Sequence, residues 1–272
     1  MSEELARASG LVLAYGTHVA MRPSDFTIPH RAVTAIIGPN GSGKSTLLNA
    51  LAGVIEPRAG KLSVLGGPAT ASHRRLSYVM QTLAFPEGTP ITVREVVAIG
   101  LYSTLGWFRR PGAEDRDRVR RAMERLRVTD LAGRHLDELS GGQRQRVYVA
   151  QGLTQVHEAL LLDEPLTGLD ITSAKVIDDI IHSEREKGHA VVLTTHDLAE
   201  ARAADWVVLM NGHVLAAGPP GEVLTRENLA EAYGLGTLHE PGDAFIDDPS
   251  HTHEPDAVHG DGDHGHTHQH PH

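Results

Sequence analysis

The 272-residue sequence predicts an α/β fold whose centre is a mainly parallel sheet covered by helices. Three observations lead there. Five short apolar runs (Ala32–Ile37, Leu76–Met80, Ala159–Leu162, Ala190–Thr194 and Trp206–Met210) read as strands buried on both faces rather than as half-exposed, alternating ones. Stretches with helical spacing lie between them, as a βα alternation requires. The first run also ends at Gly38, in a glycine-rich segment that opens into the helix-forming stretch KSTLLNALAG.

In chain order, Ala32–Ile37 gives the first buried strand and KSTLLNALAG the helix after it. Leu76–Met80 gives the next strand. Residues 83–155 then change character: they are mostly helical, broken by PEGTP and RRPG, with little strand signal after Val97. Within them Val119, Ala122, Met123 and Leu126 fall on one helical stripe of the charged segment Ala113–Arg127, which reads as a solvated helix with one apolar face. Ala159–Leu162 returns to strand, Ile177, Ile180 and Ile181 mark a helix, and Ala190–Thr194 and Trp206–Met210 complete the sheet. The expected division is an α/β core of residues 1–82 and 156–238, a helical subdomain of 83–155, and a tail of 239–272. No internal repeat is visible.

Composition narrows the function classes. Residues 1–226 hold 25 basic and 25 acidic groups, so the net charge of −10 sits after Arg226, where no Lys or Arg occurs. That balance carries no nucleic-acid footprint. The absence of cysteine removes disulfides and thiolate metal sites. No apolar run approaches the roughly 18–20 residues of a membrane span, and MSEELARASG lacks the basic-then-apolar order of a signal peptide. A cytosolic protein is the expectation. The acidic, Gly/Pro/His-rich tail buries too little apolar surface to offset chain entropy and is expected to be disordered without metal.

Three motifs carry chemistry. Gly38–Ser45, GPNGSGKS, fits the phosphate-binding loop G-x-x-x-x-G-K-[ST]: Gly38, Pro39, Asn40, Gly41, Ser42 and Gly43 wrap an anion with backbone N–H groups, and the following helix N-terminus adds its dipole. Lys44 is expected to reach the β/γ-phosphates, and Ser45 to coordinate Mg²⁺, with Thr46 beside it. ALLLDEP ends an apolar strand in two carboxylates. Strand alternation would point them to opposite faces, Asp163 to Mg²⁺ and Glu164 to the attacking water as general base. LSGGQRQR, Leu139–Arg146, places two glycines behind a serine at a helix start, a second anion cup in a chain that needs one phosphate loop per nucleotide.

At this point the sequence resembles the ATP-binding cassette family over about residues 8–226, with every motif in family order. The resemblance implies an ABC-type P-loop core with an antiparallel β portion and a helical subdomain. It implies that Tyr15 stacks on adenine, and that Gln81 in YVMQ joins the Mg²⁺ site to the transmembrane partner. It also implies that Asp170 in LTGLD follows the catalytic glutamate and that His196 in TTHD contacts the γ-phosphate. Ser140, Gly141, Gly142 and Gln143 of one cassette would close on ATP held by another, so the working unit would be a homodimer. His73, His135, His157, His182, His189 and His213 are scattered singly and read as surface residues.

Two classes of ATPase fit: a transporter motor docked on a separate permease, or a soluble cassette acting on DNA, ribosomes or cofactor assembly. One phosphate loop per chain and only 57 residues between Gln81 and Leu139 favour the first. So does LAFPEGTPITVREVVAIGL, which resembles the part of transporter ATPases that receives the permease. The tail then suggests cargo. His251, His253, His259, His264, His266, His268, His270 and His272 include His–x–His pairs whose imidazoles suit Zn²⁺-type ions. The cassette resembles the bacterial zinc/manganese uptake group, with zinc favoured over manganese by imidazole donors. That expectation carries ATP and Mg²⁺, a permease, an extracellular metal-binding protein, no nucleic acid, and a place at the cytoplasmic face of the membrane.

Overall fold

The computed structural model describes residues 4–81, 89–105 and 110–234. The tail histidines, and residues 83–88 of the expected permease-facing segment, lie outside the described residues.

Among the described residues ten strands form two sheets. β1 (Glu4–Tyr15), β2 (His18–Pro29), β4 (Ala59–Val64) and β5 (Gly67–Pro68) make an antiparallel sheet in the order β2-β1-β4-β5. The central sheet runs β10-β9-β3-β8-β7-β6, from β3 (Val33–Ile37), β6 (Leu76–Val79), β7 (Ala159–Leu162), β8 (Ala190–Thr195), β9 (Trp206–Met210) and β10 (Val214–Gly218). All its pairings are parallel except β9 with β10. The five apolar runs read from the sequence are five of these strands. The long β1 and β2 carry mixed polar and apolar residues and have no such run.

The continuous apolar strands have a direct cause. Val33, Ala35 and Ile37 of β3, Leu160 and Leu162 of β7, and Val207 and Leu209 of β9 enter one core; Ile36, Leu161, Val208 and Met210 enter a second on the other face. Each strand therefore feeds two cores, and among these three strands the one small polar residue is the buried Thr34 of β3. The second core lies under the antiparallel sheet, where α1 (Lys44–Leu51) packs against β1, β2 and β8. Eight residues are too few for a stable helix alone. Leu47, Leu48 and Leu51, at most 1% exposed, hold it, each contributing about 1.5–3 kcal/mol of burial.

Of the remaining helices α3 (Val93–Ile99), α5 (Ala113–Arg125), α6 (Gly141–Leu153), α7 (Ile171–Glu186), α8 (Leu198–Ala203) and α10 (Arg226–Tyr233) cover the first core with the one-turn α4 (Tyr102–Leu105) and α9 (Pro220–Val223), while the one-turn α2 (Ala69–Ser72) joins the second core beside β4 and β5. α6 is the hub, touching α3, α5, α7 and β6. On α5, Val119, Ala122 and Met123 face inward while Arg116, Arg120 and Arg121 stay exposed, the amphipathic pattern read from the sequence. Among the described residues no helix is long and apolar enough to cross a membrane.

Candidate nucleotide site at the strand ends

The site is assembled by strand register. In β6–β7 Val79 pairs with Leu162, in β7–β8 Leu162 pairs with Leu193, and in β3–β8 Ile37 pairs with Thr195. Running the chains to or just past the strand ends brings Gln81 beside Glu164 and Asp163 beside Thr194. All lie at the carboxyl edge of the parallel strands, where open α/β sheets bind ligands.

The loop Gly38–Ser45 is held tight. Gly41 and Gly43 adopt φ of 78° and 97°, the left-handed region that favours glycine. At Gly38 a side chain would run into the Met210 carbonyl, and at Gly43 it would meet the Ala20 carbonyl at 2.8 Å. Lys44 is buried and donates from Nζ to the Gly38 and Pro39 carbonyls at 2.8 and 3.2 Å, curling its ammonium back over the loop. Burial pulls its pKa below the ordinary lysine value, against the opposing pull of Glu164 and Asp163.

A hydrogen-bonded chain crosses three strands. Ser45 Oγ donates to Asp163 Oδ1 at 3.0 Å, and Thr194 Oγ1 donates to the same oxygen at 2.6 Å. Thr194 Oγ1 in turn accepts from the Glu164 amide at 2.8 Å, and Gln81 Nε2 donates to Glu164 Oε2 at 3.0 Å. β7 ends at Leu162, so pleat alternation does not separate the two carboxylates as the sequence reading expected. Instead Glu164 takes a left-handed backbone, φ 47°. Thr194, fully buried, is the member that motif reading passed over; the only signal was a second threonine in TTHD.

The other predicted residues are placed as follows. Tyr15 ends β1 with its ring half exposed; its hydroxyl accepts from Asn49 Nδ2 of α1 at 3.3 Å, and Asn49 Oδ1 accepts from the Tyr78 hydroxyl at 2.9 Å. Thr46 lies in the first turn of α1. His196 is exposed, directly after β8, and Asp197 beside it caps α8 through the Ala199 amide at 2.6 Å. Ser140 caps α6: its hydroxyl accepts from the Gln143 amide at 3.3 Å while Gln143 Oε1 accepts from the Ser140 amide at 3.0 Å. Gly141 is open to solvent, whereas Gly142 is packed against Asp170 and Ser173 of the α7 start. Asp170 accepts from the Ser173 amide at 2.9 Å, which holds its carboxyl below the usual range. Among the described residues no hydrogen bond joins Ser140–Gln143 to the phosphate loop of the same chain.

One histidine reading needs correction. His157 is not a surface residue but 8% exposed, because it lies just before β7 and turns under α7. His189 is half-buried beside it.

The donor set fits Mg²⁺. Ser45 Oγ, Asp163 Oδ1 and the Gln81 side chain are hard oxygen or amide donors at one strand edge, with carboxylate charge and no thiolate. The glycine loop and the curled lysine provide the anion cradle for a nucleotide triphosphate.

The family model described as ABC transporter matches residues 21–167. The zinc transport system ATP-binding protein TroB of Treponema pallidum is 38% identical over 225 residues, covering 82% of this chain and 85% of its own. The manganese transport system ATP-binding protein MntB of Listeria monocytogenes is 36% identical over 226 residues, covering 83% and 94%. Among solved structures, the ADP conformation of MJ1267, an ATP-binding cassette of an ABC transporter, superposes with a TM-score of 0.72 at 26% identity over 86% of this chain and all of that one.

Proposed function

The chain belongs to the ABC transporter family and is an ATP-hydrolysing cassette, and from that premise we propose that it powers the uptake of a divalent metal ion, zinc before manganese, through a separate membrane permease. The observation that carries the ATPase chemistry is the chain Ser45–Asp163–Thr194–Glu164–Gln81 at the mouth of the glycine loop.

Each residue then has a role. The amides of Gly38–Lys44 cradle the phosphates, and Lys44 leaves its two carbonyls to neutralise the β/γ oxygens. Ser45, Asp163 and Gln81 would hold Mg²⁺, which supplies charge neutralisation on the phosphates. Glu164 accepts the proton of the attacking water, and Gln81 orients the carboxylate. His196 contacts the γ-phosphate from the end of β8, and Tyr15 stacks on adenine. Thr46 and Asn40 complete the loop contacts. Ser140, Gly141, Gly142 and Gln143 present an open helix N-terminus with no ligand of its own chain, which suits closure on ATP bound by a second cassette. Asp170 braces that helix through Gly142.

Glu164→Gln tests the chemistry. Nucleotide binding is retained, hydrolysis falls by about 10²-fold or more, and ATP-bound dimer accumulates on size exclusion; near-wild-type turnover would remove Glu164 as base.

Cargo rests on relatives named for zinc and for manganese and on the imidazole-rich tail. It is tested by elemental analysis of cells lacking the chain, where a selective fall in zinc supports the reading and a selective fall in manganese reassigns the cargo. The same proposal places the protein at the cytoplasmic face of the membrane, with an extracellular metal-binding protein in the system. Residues 239–272 would act as a metal sensor, which equal zinc sensitivity of the transporter's ATPase with and without them would refute.

A further inference from the structure

A second cluster lies at the opposite, N-terminal ends of β7 and β8. Glu184, near the end of α7, is 2% exposed in its side chain. Its Oε1 takes Arg125 and Lys187 Nζ at 2.7 and 2.9 Å. Its Oε2 lies 2.7 Å from His189 Nδ1 and 3.2 Å from His157 Nε2. The His157 side chain is 5% exposed, that of His189 31%.

Donor and acceptor accounting at His157 exposes a gap. Its Nδ1 lies 2.9 Å from the Gln155 carbonyl. A carbonyl only accepts, so Nδ1 carries the hydrogen, and Nε2 then faces a carboxylate oxygen that also only accepts. That contact, 3.2 Å long in a buried place, calls for a cation between the two atoms, a second proton or a metal ion. A third donor atom, His189 Nδ1, converges on the same oxygen, and all three lie within 4.8 Å of one another.

We propose that His157 Nε2, His189 Nδ1 and Glu184 Oε2 form a binding site for a divalent transition ion of the Zn²⁺ type, separate from the nucleotide site. Two imidazoles and a carboxylate are a zinc donor set with the fourth position left to water, and tetrahedral bonds of about 2.0–2.1 Å set donors about 3.3 Å apart. The His157 pair already stands near that spacing. His189 backs off by about half an ångström toward solvent, with its proton moved to Nε2, which leaves Nδ1 as ligand. The Gln155 carbonyl fixes the tautomer of His157, as an outer-shell acceptor does for a metal-bound histidine. Arg125 and Lys187 orient Glu184 through its other oxygen. Their charge opposes the ion, and Lys187, half exposed, is free to swing into water.

The site does not depend on the ATPase reading, and its test uses no nucleotide. Full-length protein and His189→Ala are titrated with Zn²⁺ against a chromogenic chelator, and their thermal midpoints are followed; the tail is present in both and cancels. The wild type is expected to bind one ion more than the variant. Its midpoint rises by about 5–10 °C at zinc a hundredfold above the dissociation constant, and this rise is lost in the variant. Because His189 is partly exposed, the variant is expected to fold; His189→Gln provides a second, isosteric check. Equal stoichiometry and an equal zinc-induced rise in both proteins would overturn the proposal and leave a proton as the bridge between His157 and Glu184.

Discussion

Thr194→Val removes one hydroxyl at the centre of the nucleotide site while preserving shape. Two hydrogen bonds disappear: the 2.6 Å donation to Asp163 Oδ1, which is charge-assisted, and the 2.8 Å acceptance from the Glu164 amide. A hydrogen bond to a charged group contributes about 1.5–3 kcal/mol, and a buried amide left unpaired costs about 1–3 kcal/mol. The added methyl offsets about 0.8 kcal/mol. A net loss of about 2–5 kcal/mol follows, a large part of a typical domain's stability. The damage is also directional. Without the threonine the Glu164 amide loses its partner, so the base drifts relative to Gln81, and each 1.4 kcal/mol of lost alignment is a tenfold loss in kcat. Urea denaturation and steady-state ATPase assays measure both, and Thr194→Ser, which keeps the hydroxyl, is expected to restore both. A valine variant within 0.5 kcal/mol of wild type and equal in turnover would refute Thr194 as the positioning residue.

Gly142→Ala puts a methyl 2.5 Å from Asp170 Oδ2 and 2.6 Å from Ser173 Oγ; overpacking of this kind costs about 1–3 kcal/mol, read as a lower thermal midpoint together with reduced ATPase, whereas Gly141→Ala, with open space around it, is expected to leave the midpoint unchanged. Glu184 gives a pH signature. Burial alone would raise its pKa, but the polar contacts of His157, Lys187, His189 and Arg125 outweigh this and hold it far below the usual value of 4.5. A depressed carboxyl contributes stability that is full above its unfolded pKa and fades as pH falls toward the folded one. Glu184→Gln is therefore expected to cost about 2–4 kcal/mol at pH 7, with the gap to wild type narrowing below pH 4.5 in denaturant titrations; a gap constant from pH 7 to pH 3 would contradict the ionised carboxylate.

The sequence made the motifs legible because each is local: a glycine loop between strand and helix, two carboxylates after an apolar run, a serine–glycine helix start. It hid what joins them. Gln81 meets Glu164 across 83 positions and Ser45 meets Asp163 across 118, separations fixed by strand pairing and not by any local pattern. The long antiparallel strands β1 and β2 escaped notice for a different reason. β1 feeds a core on one face only and bends at irregular pairings, so neither a continuous apolar run nor a clean alternation survives in its sequence. His157 misled because a single histidine carries no periodicity; only the return of α7 over β7 decides that it is buried.

The pairing of β7 with β8 is where these threads meet. Leu162 opposite Leu193 sets Asp163 beside Thr194 at one end, and the same register, followed back through Ala159 opposite Ala190, sets His157 and His189 together at the other. A slip of one residue in that pairing would move each partner by about 3.3 Å, beyond hydrogen-bond reach at the catalytic edge and beyond ligand reach at the histidine edge. Yet both cores would still find apolar residues, since β7 and β8 are apolar on every position short of the threonines at the end of β8. Hydrophobic burial alone therefore does not specify this register. The polar contacts at the two strand ends do: Thr194 to Asp163 and Glu164 above, Glu184 to both histidines below. Their contribution is to select one alignment among several of similar burial, and that alignment is the one in which the phosphate loop, the two carboxylates and Gln81 converge.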